Sequence, residues 1–157
     1  MTSQADERRA ARLAAVQALY QMEMIGSGAE EVAQEFIEHR FGELPVTPDL
    51  DFFCAVLNGV PQYQMEIDRA IAGALSEKWK LERVDSILRA ILRAGVFELV
   101  ARRDVPAKVV IDEYVGVAAD FFGGDEPGFV NAALDAIARR KRASEFGLPA
   151  TDGELDF

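Results

Sequence analysis

The feature that most restricts this chain is the spacing of its apolar residues. They recur at helical intervals along almost its whole length, and no stretch keeps the alternation of a half-buried strand. The expected fold class is therefore all-α, a compact protein of about seven helices. Ser3 with Asp6 and Glu7 can cap a first helix, and Gly26 can end it. From residue 13 to 25 only Gln17, Gln21 and Glu23 are polar, which predicts a central buried helix whose first turns carry arginines into solvent. Ser27 and Glu30 fit a capping box for a second helix, striped by Val32, Phe36, Ile37 and Phe41 and closed by Gly42.

Thr47-Pro48 offers a cap and a first-turn proline for a third helix through Leu50, Phe53, Leu57 and Val60. The pattern should bend at Pro61 and resume through Ile67, Ile71 and Leu75. Further helices are expected from about residue 84 to 103, from Val105-Pro106 through Phe121, and from Pro127 into a basic run. Gly95 inside the first of these costs about 1 kcal/mol relative to alanine, so it predicts close helix packing. From Glu145 onward the chain reads as an acidic, disordered tail broken by Gly147, Pro149 and Gly153.

With 157 residues, 50% of them hydrophobic, the chain can build one core or two small ones. One cysteine, Cys54, and one histidine, His39, exclude an internal disulfide and a cysteine-histidine zinc site. No apolar run reaches the ~20 residues of a membrane span and no export signal is evident, so the expected compartment is a reducing cytoplasm without membrane contact. Catalytic constellations are missing. His39 lies between Glu38 and Arg40 on an amphipathic helix, and Cys54 sits on an apolar stripe as a core residue. Gly123-Gly124 lacks the lysine of a phosphate-binding loop, and Glu30, Glu31, Glu35 and Glu38 read as a solvated face. The expectation is a non-enzymatic binding protein without cofactor or metal.

The net charge of -10 argues against a nucleic-acid partner until its distribution is considered. Between residues 23 and 51 eight acidic side chains face Arg40 alone, whereas residues 78 to 108 are mainly basic. Two further cationic clusters are Arg8, Arg9 and Arg12, and Arg139, Arg140, Lys141 and Arg142. Such asymmetry permits a local polyanion-binding face on an acidic protein. Arg8 and Arg12, four apart, share one helix face, where they can grip phosphates or pair with neighbouring acids. Phe121 and Phe129 flank the Gly123-Gly124 break, where rings can stack on unpaired bases or fill a core.

Glu7-Arg8-Arg9-Ala10-Ala11-Arg12 running into Ala15-Val16-Gln17-Ala18-Leu19-Tyr20 resembles the opening of the NusB family of transcription antitermination factors. Ala90-Ile91-Leu92-Arg93 with Phe97-Glu98-Leu99, Asp104-Val105-Pro106-Ala107-Lys108-Val109, and Phe129-Val130-Asn131 resemble later signatures of that family, in order. The resemblance implies two small helical bundles, here about 1–76 and 77–144 ahead of the tail at 145–157, and no catalysis. It implies binding to single-stranded boxA RNA of nascent ribosomal RNA transcripts, together with the ribosomal protein NusE, other Nus factors and the RNA polymerase complex. The site residues it implies are Arg8, Arg9, Arg12, Lys108, Phe121, Asp125 and Phe129 for RNA, and Tyr20 for the protein partner. Ala132 departs from the glycine common after the Phe-Val-Asn signature, so an ordinary helix is expected there. A helical adaptor that binds only protein, the accessory module of an RNA methyltransferase, and a homodimer stay open as alternatives.

Overall fold

A computed structural model describes residues 2–75 and 80–150. These fall into two compact units, Met1–Gln62 and Tyr63–Phe157. Among the described residues there are seven α-helices and no strand.

The first unit holds α1 (Gln4–Ile25), α2 (Ala29–His39) and α3 (Leu50–Gln62), with a 3-10 turn at Phe41–Glu43. Ser3 and Asp6 form the expected reciprocal cap on α1, and Gly26 ends it in the left-handed conformation at φ 78°. The buried face of α1 is small: Ala11, Ala14, Ala15, Val16, Ala18 and Leu19 let α2 and α3 approach closely. The space is filled from the other side by three buried rings. Phe36 stacks on Phe53 with centroids 5.9 Å apart, and Phe41 meets Phe53 edge-on at 4.9 Å. Each such pair contributes about 0.5–1.5 kcal/mol beyond the area it buries.

Three local expectations are corrected here. The second helix is capped at Gly28 without a side-chain hydrogen bond, not by a Ser27-Glu30 box, and Gly42 lies inside the 3-10 turn instead of closing the helix. The third helix takes its cap from Asp49, whose Oδ1 accepts from the Phe52 N–H at 3.0 Å, not from Thr47. The α3 cap thus comes from the acid immediately before Leu50, and α2 starts without a side-chain cap.

The second unit holds α4 (Gln64–Ala74), α5 (Ser86–Ala101), α6 (Ala107–Phe121) and α7 (Glu126–Lys141), with 3-10 turns at Leu81–Arg83 and Ala143–Phe146. Pro61 lies inside α3 and the break comes at Tyr63, so the unit boundary falls there and not near residue 76. The physical reason is α4. Ile67 and Ile71 are buried, and Asp68 receives two hydrogen bonds from Arg93 of α5, at 2.8 and 3.0 Å. Residues 76–79, where the boundary was expected, lie outside the described residues.

Helix α5 is buried on nearly every side and packs against α4, α6 and α7. A β-carbon at Gly95 would stand 2.9 Å from Leu134 Cδ1 and 3.5 Å from the Tyr114 ring, so the glycine marks the close contact its position predicts. Order also continues past residue 144. Arg142, only 2% exposed, donates to the carbonyls of Leu99 and Val105 and to the Glu145 carboxylate. Glu145 in turn accepts from the Ala107 N–H at 2.9 Å, capping α6. These bonds hold the start of the segment expected to be a free tail; residues 151–157 lie outside the described residues.

Candidate nucleic-acid interface

In the first unit, the candidate cations sit on the opening turns of α1. Helical spacing puts Arg8 and Arg12 on one face, as expected, but that face turns inward. Their guanidinium carbons lie 5.2 and 4.9 Å from the centroid of the buried Phe52 ring of α3. Arg12 is 2% exposed, which corrects its place as a phosphate grip. It continues the stripe of Ala11 and Ala15 that buries α1, and a long side chain there covers apolar surface with its charge held on a ring.

Arg8 is intermediate: its side chain is 22% exposed, and its Nε stands 3.9 Å from Asp49 Oδ2. Asp49 is well fixed. Its own N–H donates to the Glu7 carbonyl at 3.0 Å, and its Oδ1 caps α3. Arg9 is exposed. At the opening of α1, Arg9 is therefore exposed and Arg8 partly so. Tyr20, on the later turns of α1, is 38% exposed, and Met24 and Ile25 beyond it are exposed apolar side chains. Such a run suits a protein contact better than an RNA backbone.

In the second unit, the ring-bearing candidates lie where α6 ends and α7 begins. Phe121 is the last residue of α6, and Phe129 lies in the first turns of α7. Both are half-buried, so neither the fully stacked nor the core reading holds alone. Phe122, which the sequence reading passed over, has its ring centroid 6.5 Å from that of Phe121, tilted by 54°. Its signal was present as an adjacent aromatic at the helix end. Asp125 is exposed and does not cap α7 with its side chain.

Lys108 is exposed in the first turn of α6 and lines an open cleft of about 510 Å³ with Asp112, Asn131, Asp135, Arg139 and Phe146. The basic run that closes α7 does not form one patch. Arg139 bonds Asp135 at 2.8 Å and covers the Phe146 ring at 4.8 Å, while Arg142 is the buried clamp on the carbonyls of Leu99 and Val105.

Among the described residues, neither Cys54 nor His39 is set up as a nucleophile or base. Burial, helped by the charge of Asp51, pushes the Cys54 thiol up from its ordinary value, away from the thiolate that would react. His39 is exposed beside Glu38 at 3.8 Å. Among the described residues no group of three or more metal-ligating side chains converges, and no helix is long and apolar enough to cross a membrane.

The NusB family model matches residues 9–139. A transcription antitermination protein NusB of Maricaulis maris is 57% identical over 144 residues, covering 88% of this chain and 90% of that relative. The NusB structure of T. maritima is 32% identical, with a TM-score of 0.73 over 90% of this chain and 97% of that one. A chain from a crystal structure of antitermination factors NusB and NusE in complex with dsRNA has a TM-score of 0.74 at 23% identity, over 85% of this chain and 96% of that one, and speaks for the fold alone. By sequence over most of its length and by helical architecture, the chain belongs to the NusB family.

Proposed function

We propose that this protein is a non-enzymatic transcription antitermination factor of the cytoplasm that binds single-stranded boxA RNA of nascent ribosomal RNA transcripts together with NusE. The observation that carries this reading is the 57% identity, over 88% of the chain, to a relative described as a transcription antitermination protein. The chemistry of the surface supports it. Arg9 and, in part, Arg8 supply cations from α1, and Lys108 supplies one from α6. Phe121 and Phe129 keep partly open ring faces at the α6-α7 break, with Asp125 beside them as an acceptor for base amino groups.

A small set of phosphate contacts is too little for tight binding alone. A partner that adds contacts raises affinity without a larger basic patch, which is the role proposed for NusE, with Tyr20 on the partner side. Other Nus factors and RNA polymerase would complete the assembly. The test is a gel shift of the full chain against boxA and a scrambled oligonucleotide, with and without NusE. The expected result is preferential retardation of boxA, enhanced by NusE; equal retardation of both oligonucleotides in every lane refutes the reading.

A further inference from the structure

The acid that faces Arg8 is placed as an internal substitute for phosphate. Asp49 Oδ2 stands 3.9 Å from Arg8 Nε, close enough for Coulomb attraction but longer than a hydrogen bond. Its other oxygen is occupied, accepting from the Phe52 N–H at 3.0 Å, and its backbone is tied to Glu7 of α1 at 3.0 Å. The residue is thus held in one position by its cap on α3 and by its backbone, with Oδ2 left facing Arg8. The second of these bonds, from the Asp49 N–H to the Glu7 carbonyl, ties the start of α3 to the start of α1. Both side chains are partly open to solvent, 22% and 25%, while Arg8 Nε, the atom that faces the carboxylate, is itself buried, so Asp49 acts on Arg8 through its charge and not by covering it.

We infer that Asp49 is an affinity-limiting counter-ion: its charge lowers the attraction of Arg8 for RNA phosphate and so limits how many cations the arginine-rich start presents. This rests on the reading of the chain as an RNA-binding factor. An anion fixed beside a cation lowers its attraction for every polyanion alike, so the penalty falls on overall RNA affinity and its salt dependence and leaves the ratio between two RNAs unchanged.

The test uses full-length chain, a fluorescent boxA RNA and a scrambled RNA of equal length, titrated over a salt series. Asp49→Asn removes the charge while its amide oxygen keeps the α3 cap. The expected result is binding about two- to fivefold tighter to both RNAs, the size of an exposed ion pair released. The log-log salt dependence should steepen by ~0.7, one more phosphate on a single strand. Preference for boxA over the scrambled RNA should stay unchanged, because phosphate contacts carry no sequence information. Asp51→Asn, one exposed charge removed two positions away, controls for net charge and should have little effect. In Arg8→Ala the Asp49→Asn gain should vanish.

An unchanged affinity for Asp49→Asn, a gain equalled by Asp51→Asn, or a gain that persists in Arg8→Ala overturns the inference while leaving the RNA-binding reading intact. A wild-type chain that prefers neither RNA, with or without NusE, overturns that reading and the inference with it.

Discussion

Arg9 and Arg12 stand three positions apart in one arginine cluster, yet their surroundings assign them different work. Arg12 is buried over Phe52, so Arg12→Ala should cost about 1–3 kcal/mol of stability through lost packing and cation-ring attraction, read by urea unfolding. Arg9 is exposed, so Arg9→Ala should leave stability within about 0.5 kcal/mol while flattening the salt dependence of boxA binding by ~0.7. Stability loss in Arg9→Ala, or none in Arg12→Ala, would reverse these roles. The sequence showed the cluster and its helical spacing. It could not show which side of α1 faces inward, because that depends on Phe52, forty positions beyond Arg12. Glu145 makes a similar point. Burial pushes its carboxyl up, but the Ala107 N–H and the hydrogen bond and charge of Arg142, with the charge of Arg103, outweigh burial and hold it below its ordinary value. A carboxyl depressed in the folded state adds stability above its unfolded value and loses that contribution as pH falls through the folded one. The stability gap between wild type and Glu145→Gln should therefore be open at neutral pH and close in acid, below about pH 4. A gap that is unchanged in acid would mean the carboxylate charge is not what holds the α6 cap.

At the scale of the element, apolar periodicity located every helix, and punctuation by Ser3, Gly26, Pro106 and Pro127 located several of the ends. The errors cluster at the starts of α2 and α3. There α2 starts after Gly28 with no side-chain cap, and at α3 Asp49, next to the first helical residue, takes the cap that Thr47 also offered by position. Gly95 was legible for the opposite reason: a glycine inside an apolar helix has few explanations other than close approach. Alanine at this position would gain about 1 kcal/mol in helix propensity but place its methyl 2.9 Å from Cδ1 of the fully buried Leu134, so that side chain must shift within a packed core. Gly95→Ala should thus lower the melting temperature. A higher melting temperature would show that propensity outweighs packing in α5. The clamp of Arg142 on the carbonyls of Leu99 and Val105 was hidden because those partners lie about forty residues away, and a basic run at a helix end has a simpler local reading in the helix dipole.

At the scale of the whole molecule, the proposed function has a chain of net charge -10 bind RNA through a few cations, with its acidic remainder limiting adhesion to RNA at large. With Arg12 buried, the exposed or partly exposed candidates are Arg8, Arg9 and Lys108. Two or three phosphate contacts at ~0.7 each give a log-log salt slope of about -1.4 to -2, and a slope steeper than about -3 would mean that cations outside this set take part. Family and fold class were legible in the sequence because motifs and periodicity are local. The division of labour among the arginines was not, because it is made by contacts between helices. The most direct test is photo-crosslinking of the full chain with NusE to boxA RNA carrying 4-thiouridine, with the crosslinked peptides mapped by mass spectrometry. Crosslinks should concentrate on the opening turns of α1 around Arg9 and on the α6-α7 break between Phe121 and Phe129. Crosslinks confined to the acidic face of α2, or absent from both of those segments, would contradict the account.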